Sequence, residues 1–305
     1  MYFRLLPIVK LFWPKFIFHA TREKIKASND VVSVSSRRFE QSLGLERVFR
    51  PVRPWAFIRV KNEIRTIAAS LESILPAIDR GVIGYNLAPS EEDDGTVAFV
   101  HDFCRVHPGF RPVCYPYEVE PAMSPRYQTG ELAYENTLAA YYNAVLAEIP
   151  QGEWLIKIDV DQLYVPHILR HSFSLPRSKH DVVSYARLNL VRTPSGECRC
   201  LSYIRPYDHW LICNEGLSFE NVAGTDEAGE YCAWEKLCIP FRTRRIQKPE
   251  CSSLHFPFEK RWRAPDIAVE SLPSFEAFMA SADPEEFSEE LFDLLPLVSQ
   301  FDESR

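Results

Sequence analysis

The chain has 305 residues, of which 46% are hydrophobic and 25% are charged, with 35 Lys and Arg against 42 Asp and Glu. This composition is typical of a globular protein and excludes disordered, collagen-like and coiled-coil chains. The net charge of −7 argues against a general nucleic-acid binder, which would carry a basic surface. At this length about three quarters of the unfolded surface can be buried, so the fold needs neither disulfides nor a structural metal.

The two ends of the chain carry opposite charge, since basic residues predominate in residues 1–50 and acidic residues in 264–305. Within residues 1–20, aromatic and aliphatic side chains are interleaved with three cations and two prolines. This segment is too interrupted to span a bilayer, but it is typical of a segment that lies on an anionic membrane surface. Docking on the body of the protein is the alternative.

The eight cysteines include no CxxC pair, and no clean apolar run precedes a small-residue cleavage site. We therefore expect no secretory signal and predict reduced thiols in a cytoplasmic protein.

Apolar strand patterns alternate with amphipathic helix patterns in the first half of the chain. Strands are predicted at 55–60, 82–86, 112–117 and within 153–163, and helices at 64–78, from Thr96 to before Pro108, and within 131–149. This alternation specifies right-handed βαβ crossovers. The sequence therefore predicts an α/β nucleotide-binding fold with a mainly parallel sheet flanked by helices.

The regular alternation ends near residue 165. Residues 181–193 and 209–214 resemble antiparallel or edge strands, separated by long polar connections. We divide the chain into a basic amphipathic segment 1–50, a central domain 51–263 and an acidic helical appendage 264–305. The central domain has a nucleotide-binding half, 51–165, and an elaborated acceptor half, 166–263.

The fourth predicted strand ends in Asp159-Val160-Asp161. Because side chains alternate along an extended chain, both carboxylates point the same way and can reach one hard cation. In open α/β sheets, ligands bind at the carboxyl ends of the strands. This position favours a metal site over the alternative, a solvated turn that caps a helix beginning at Asp161.

Other phosphate-binding signatures are absent, since the sequence contains no GxGxxG after the first strand and no GxxxxGK[ST]. Dinucleotide redox chemistry and P-loop hydrolysis are thereby excluded. A divalent cation held by two carboxylates and bound to substrate phosphates is instead typical of transfer from a nucleotide-activated donor, and nucleotide-sugar transfer fits best.

Five separated blocks of the sequence occur in the order and spacing of a known family. They are RVKNE (59–63), GVIGYN (81–86), PGF followed by YPYEV (115–119), ENTLAAYYNA (135–144) and EWLIKIDVD (153–161). From about residue 55 to 263 the chain resembles the bacterial β-1,4-N-acetylgalactosaminyltransferases of CgtA type, which build ganglioside-like lipooligosaccharide outer cores.

The resemblance implies a GT-A fold, a UDP-GalNAc donor, a requirement for Mn²⁺ or Mg²⁺, and inversion at the sugar carbon. It further implies a galactose-containing glycan or glycolipid acceptor, met at the cytoplasmic face of the inner membrane. The loop after Asn86 is longer and more acidic than the family pattern. This departure puts in doubt any contact of Asp93 or Asp94 with the base or ribose.

An inverting displacement needs a carboxylate that takes the proton of the acceptor hydroxyl. Candidates lie in the second half of the chain, and Glu235 is the first choice because it opens a predicted helix between Trp234 and Leu237. Asp208 and Asp226 follow. The alternative for each is an exposed surface carboxylate.

His255 is the candidate third metal ligand, because a neutral imidazole suits Mn²⁺ and the resemblance places a histidine late in the chain. A packed core histidine is the alternative.

Donor contacts are expected at the strand ends. The candidates are Arg59, Asn62, Asn86, Asp94, Lys157 and Asp159. Two other functions share the predicted sheet. A non-catalytic peripheral-membrane carbohydrate-binding protein is one, and a sugar nucleotidyltransferase, which would need a Gly-rich loop after the first strand, is the other. The oligomeric state is left open.

Overall fold

The computed structural model describes residues 30–33, 51–121, 124, 126–127, 132–225, 231–260 and 268–302. The segment 1–20, for which membrane contact is expected, lies outside these ranges, and so does Asp226. Within them, no helix combines the length and the apolar character needed to cross a bilayer.

In the described residues, a nine-stranded sheet forms the centre of the protein, and a two-stranded sheet accompanies it. The strands are β1 (Asp30–Ser33), β2 (Trp55–Val60), β3 (Gly81–Asn86), β4 (Phe110–Tyr115), β5 (Trp154–Ile158), β6 (Gln162–Tyr164), β7 (Asp181–Arg192), β8 (Cys198–Cys213), β9 (Ser218–Thr225), β10 (Tyr231–Cys238) and β11 (Arg244–His255). The large sheet has the order β1-β11-β7-β8-β5-β2-β3-β4, with β6 paired to β11, while β9 and β10 form the small sheet.

The large sheet is parallel towards both ends of this order and antiparallel in the middle. Strand β2 runs parallel to β3 and β5, β3 runs parallel to β4, and β11 runs parallel to β1 and β7. Strand β8 runs antiparallel to both β5 and β7. Strand β6 also runs antiparallel to its neighbour β11. The α/β prediction is confirmed, with the correction that β8 and β6 make the sheet mixed. Residues 209–214, expected as a separate strand, largely form the end of the long strand β8.

The helices are shorter than the sequence pattern predicted. They are α1 (Ile64–Ile74), α2 (Thr96–Val106), α3 (Leu138–Leu146), α4 (Pro166–Ser172), α5 (Phe275–Met279) and α6 (Leu295–Val298), with 3-10 turns at Tyr134–Asn136, Val269–Ser271, Glu289–Leu294 and Ser299–Asp302. The helix expected within 131–149 begins only at Leu138, where the Thr137 side chain accepts a hydrogen bond from Ala140 N at 3.2 Å. Such a cap satisfies a backbone donor that has no partner inside the helix.

Strand β2 shows why helices cover both faces of the sheet. Ala56, Ile58 and Val60 pack with α1 and α2 on one face, and Phe57 packs with α3 on the other. Because side chains alternate along a strand, a continuous apolar run fills both layers. Burial of each large apolar side chain stabilises the fold by roughly 1.5–3 kcal/mol.

Helix α3 lies very close to the sheet. The Tyr141 hydroxyl donates to Gly84 O at 2.6 Å and accepts from Val60 N at 3.1 Å, which joins the ends of β2 and β3. At Gly84 a Cβ atom would lie 2.1 Å from Cγ2 of Val145, so only glycine permits this approach.

The small sheet of β9 and β10 is attached to α3. Asn143 donates to Phe219 O at 2.9 Å and accepts from Phe219 N at 2.7 Å. Glu235 lies in β10, so the predicted helix at this residue was wrong. Ala233 and Leu237 are both buried, and their spacing of four residues satisfies one helical turn as well as one face of a strand.

The C-terminal residues 268–302 form short helical turns that pack against β7 and β11. Their buried apolar side chains are Val269, Phe275, Phe287, Leu291, Leu294, Val298 and Phe301. Phe301 meets Phe256 edge to face at 5.0 Å between ring centroids. This packing covers the apolar residues of β11 and extends the core.

Candidate active site

Asp159 and Asp161 lie in the turn between β5 and β6, at the carboxyl end of β5. The Tyr164 hydroxyl fixes the turn, because it accepts from Asp159 N at 2.8 Å and donates to Asp159 O at 3.1 Å. Asp161 O accepts from Phe256 N at 2.8 Å, which joins the turn to the end of β11. A strand and not a helix follows Asp161, so the alternative of a helix-capping turn was wrong.

The two carboxylate oxygens of Asp159 both face protein donors. Oδ1 lies 2.7 Å from Arg59 Nη2, and Oδ2 lies 3.0 Å from His209 Nε2 and 3.2 Å from Lys157 Nζ. Burial alone would raise the pKa of Asp159, but Lys157, His209 and Arg59 hold it well below its usual value. Asp159 is therefore an ionised carboxylate in a shell of donors.

Arg59 is buried beneath this carboxylate. Its guanidinium lies 4.5 Å from the ring centroids of both Phe57 and Tyr142, and its side chain is only 5% exposed. Burial alone would lower the pKa of Arg59, but Tyr142, Asp159 and Glu235 raise it. The guanidinium thus faces Asp159, and its expected contact with a base or ribose remains a prediction.

His209 reaches Asp159 from β8. Arg187 Nη1 lies 2.7 Å from His209 Nδ1, which favours the lone pair on Nδ1 and the proton on Nε2. Nε2 lies 3.0 Å from Asp159 Oδ2 and 2.8 Å from the side-chain amide of Gln162. Burial lowers the pKa of His209 to about 4, so the ring is neutral at pH 7. His209 consequently holds the carboxylate through a hydrogen bond from a neutral ring.

Asp161 has a different environment. Its Oδ2 lies 3.3 Å from His255 Nε2 and 3.3 Å from Lys260 Nζ. Asn189 Oδ1 lies 2.7 Å from His255 Nδ1, which places the ring proton on Nδ1 and the lone pair on Nε2. A carboxylate oxygen and an imidazole lone pair therefore face each other, and a cation between them would relieve their repulsion.

The Asp161 and His255 side chains fit a divalent metal. Carboxylate oxygen and imidazole nitrogen suit Mn²⁺, and a hydrogen-bonded Nδ1 is the usual support of a histidine ligand. In the ranges described, no group of three or more His, Cys, Asp and Glu is arranged as a metal site. A site of two protein ligands is nevertheless adequate for Mg²⁺-like ions, which keep waters and bind substrate phosphates. That Asp159 also binds the metal directly remains a prediction. In the structure its oxygens face Arg59, His209 and Lys157.

Asn86 lies at the carboxyl end of β3 and is buried. Its Nδ2 donates to Tyr115 O at 3.0 Å and to Tyr117 O at 2.7 Å. Its Oδ1 is buried and has no hydrogen-bond partner among the described residues. A buried acceptor of this kind can accept a hydrogen bond from a ligand N–H.

Asn62 and Asp94 hold the acidic loop against the end of β2. Asn62, at φ 53°, accepts from Asp94 N at 3.3 Å. Asp94 in turn accepts from Ile64 N at 3.3 Å and from Thr96 N at 3.1 Å. Both side chains therefore shape this loop, and their contact with a donor remains a prediction.

The candidate bases differ in how far the structure describes them. Glu235 lies close enough to Arg59 and Tyr142 for its charge to raise the pKa of both, and the pKa of Tyr142, raised mainly by burial, is about 12. Asp208 lies in β8, but its side chain is outside the description, and Asp226 lies outside the described residues. Of the three, Glu235 is thus the one that lies near the Asp159 shell, by which we mean Arg59, Lys157 and His209 around the Asp159 carboxylate.

Sequence reasoning missed Arg187, Asn189 and His209. Arg187 and Asn189 lie two positions apart in β7, between the buried apolar residues Ala186, Leu188 and Leu190, and a buried polar side chain needs a partner. That spacing was a usable signal for a polar cluster, whereas the pairing of β7 with β8, which brings in His209, was not visible.

The end of β5 thus brings two acids together in a mixed α/β sheet, and one of them faces a histidine. A family model described as β-1,4-N-acetylgalactosaminyltransferase (CgtA) matches residues 45–199, about half of the chain. The chain belongs to this family.

A solved structure, "WbbM bifunctional glycosytransferase apo structure", is similar at 14% identity and a TM-score of 0.27 over 46% of this chain and 24% of that chain. The present chain thus spans about a quarter of that protein. A search of curated proteins gives no match.

Proposed function

We propose that the protein is a metal-dependent inverting glycosyltransferase of GT-A type. It transfers GalNAc, or a related hexose or hexosamine, from a UDP-sugar to a galactose-containing lipooligosaccharide or glycan acceptor. Family membership supports the transferase class, and the facing Asp161 and His255 side chains are the single observation that carries the metal requirement.

Asp161 and His255 would hold Mn²⁺ or Mg²⁺. When bound, this cation supplies positive charge to the diphosphate oxygens that become more negative as the sugar leaves. Asp159 keeps Arg59, Lys157 and His209 fixed around the turn, so the turn is rigid before the donor binds.

The other donor contacts follow from the strand ends. We assign the uracil to the end of β3, where the buried Asn86 Oδ1 would accept a hydrogen bond from the N–H of the ring. The acceptor then approaches from the small sheet. Glu235 is the leading candidate to take the proton of its hydroxyl, because β10 carries it to the edge of the Asp159 shell, and Asp208 and Asp226 remain further candidates.

The central test is UDP release from a panel of UDP-sugars with Mn²⁺ and a galactose-terminated acceptor. We expect release with UDP-GalNAc or a close analogue, loss of release with EDTA, and a decrease of about 10²–10³-fold in Asp161→Asn. Asp79→Asn is the matched control, because Asp79 forms an exposed ion pair with Arg53. Absence of UDP release with every UDP-sugar would instead favour a carbohydrate-binding protein. UDP release that persists in EDTA would contradict the metal requirement.

We place the protein at the cytoplasmic face of the membrane, with residues 1–20 as the contact segment, on the basis of their aromatic and basic composition. The test is co-sedimentation of the full chain and of a variant lacking residues 1–20 with vesicles that contain anionic lipid. We expect only the full chain to bind, and equal binding of both would remove this assignment.

A further inference from the structure

Lys260 lies directly beside the proposed metal site, after the end of β11. Its Nζ is 2.7 Å from Glu63 Oε1 and 3.3 Å from Asp161 Oδ2. The side chains of Glu63 and Asp161 are 8% and 6% exposed, and that of Lys260 is 20% exposed. The ammonium group therefore bridges two buried carboxylates from a partly open position.

The carboxylate oxygen that Lys260 approaches is the one that faces His255. Asp161 Oδ2 lies 3.3 Å from both His255 Nε2 and Lys260 Nζ. A divalent cation bound by Asp161 and His255 would thus meet the ammonium charge at short range, where repulsion is strong in a partly buried site. Metal and ammonium consequently compete for the same oxygen.

Glu63 gives Lys260 a second anchor. The backbone of Glu63 is held in place just before α1, because its N–H donates to the buried Thr96 Oγ1 at 2.8 Å. A lysine has a flexible four-carbon stem and a point charge. Lys260 can therefore leave Asp161, keep its contact with Glu63 and turn towards a neighbouring anion.

The formal charges in this part of the site balance without a metal. Three carboxylates (Glu63, Asp159 and Asp161) stand against three cations (Arg59, Lys157 and Lys260), and these six groups form ion pairs with one another. Next to them, Arg187 on His209 adds a fourth cation, and Glu235 near Arg59 adds a fourth carboxylate. A bare dication entering the site would leave an excess positive charge. A diphosphate that enters together with the metal would remove that excess.

We infer that Lys260 is a tethered counterion that competes with the divalent metal for Asp161, so that the protein binds metal weakly alone and tightly together with a nucleoside diphosphate. This inference rests on the metal site of the proposed function. It adds that Lys260 moves from Asp161 towards the diphosphate when the donor binds.

The experiment is calorimetric titration of the full chain with Mn²⁺ alone, and then with UDP in the presence of Mn²⁺. We expect Lys260→Met to bind Mn²⁺ alone about tenfold more tightly than the unchanged protein, and to bind UDP with Mn²⁺ more weakly. Lys179→Met is the matched control, because Lys179 forms an exposed ion pair with Glu215 at 2.5 Å, and it should change neither affinity. Lys260→Gln should reproduce the effect, and thermal unfolding of each variant checks that it is folded.

Two results separate failure of this inference from failure of the metal site. If Lys260→Met binds Mn²⁺ no more tightly than Lys179→Met, while Asp161→Asn abolishes binding, the counterion role is wrong and the metal site stands. If Asp161→Asn binds Mn²⁺ as well as the unchanged protein, or no variant binds it, the metal site and the counterion role are both wrong.

Discussion

The shells around Asp159 and Asp161 differ although the two residues are separated by one position. Around Asp159 the neighbours are donors from three strands, Arg59 of β2, Lys157 of β5 and His209 of β8. Around Asp161 the neighbours come from the end of β11 and the residues after it, and one of them is the lone pair of His255. One acid is thus surrounded by donors alone, whereas the other faces an acceptor besides the ammonium group of Lys260.

This difference separates two roles that a pair of spaced acids is often assumed to share. The first acid holds strands together, and in the proposed function the second offers an oxygen to the metal. Each variant below tests one side of the comparison, in order of decreasing effect.

Asp159→Asn should have the largest effect on stability. The amide removes the negative charge that Arg59 and Lys157 share, and it leaves a guanidinium that is 5% exposed without its carboxylate. We expect the free energy of unfolding to fall by about 3 kcal/mol, measured by urea denaturation. Asp161→Asn should lose less than about half of that amount, because Lys260 keeps its ion pair with Glu63. Equal losses of unfolding free energy in the two variants would show that the two acids do not differ in their structural role.

Asn189→Ala tests whether Asn189 orients His255, the proposed metal ligand beside Asp161. Without Asn189 Oδ1 the His255 ring loses the contact that fixes its proton on Nδ1. We expect Mn²⁺ affinity to fall by about 10–100-fold, measured by calorimetry, as is usual when the partner of a histidine ligand is removed. Ser184→Ala, at a buried position of the same strand, is the control. An unchanged affinity in Asn189→Ala would mean that the ring is oriented by other contacts.

Asp181→Asn extends the comparison to a carboxylate with only a structural role. Asp181 lies at the other end of β7, roughly 25 Å from Asn189 along the strand, and accepts from Arg244 Nε at 2.9 Å and Arg244 Nη2 at 2.6 Å. We expect a loss of about 1–2 kcal/mol in the free energy of unfolding with unchanged Mn²⁺ affinity.

The same carboxylate gives a pH dependence with a defined sign. Burial would raise the pKa of Asp181, but Arg244 and the backbone N–H groups of Arg177 and Ser178 lower it. Its stabilisation is therefore present above the unfolded pKa of about 3.9 and is lost as the pH falls through the lower folded value. Urea denaturation from about pH 6 to about pH 3 should show the gap between the unchanged protein and Asp181→Asn closing at acid pH. A constant gap would show that the charge of Asp181 is not what stabilises the fold.

The elements of the first half could be predicted because each depends on local patterns. WAFIRV and GVIGYN are short apolar runs between turn residues, and they form β2 and β3 as expected. The acids of the candidate site could be predicted for the same reason, since their position follows from the end of one strand.

The shell around those acids could not be predicted, because it depends on long-range pairing. Asn189 reaches His255 only because β7 pairs with β11 in one register, and that register shifts between Lys248 and Leu254. A shift of one residue reverses the face of every side chain, so sequence alone does not place either partner. Glu235 was assigned to the start of a helix between Trp234 and Leu237, whereas it lies in β10. The local pattern does not distinguish the two, because the buried pair Ala233 and Leu237 fits both one helical turn and one face of a strand.

The lack of a Cβ atom at Gly84 affects residues far from this position. The clearance between β3 and α3 is set by a single hydrogen atom, and the small sheet with Glu235 is attached to the outer side of α3. A Cβ atom at residue 84 would push α3 away from β3, and the small sheet of β9 and β10 would move with the helix. The distance between the strand-end acids and the carboxylate of β10 is thus governed from inside the core, by a residue that touches neither.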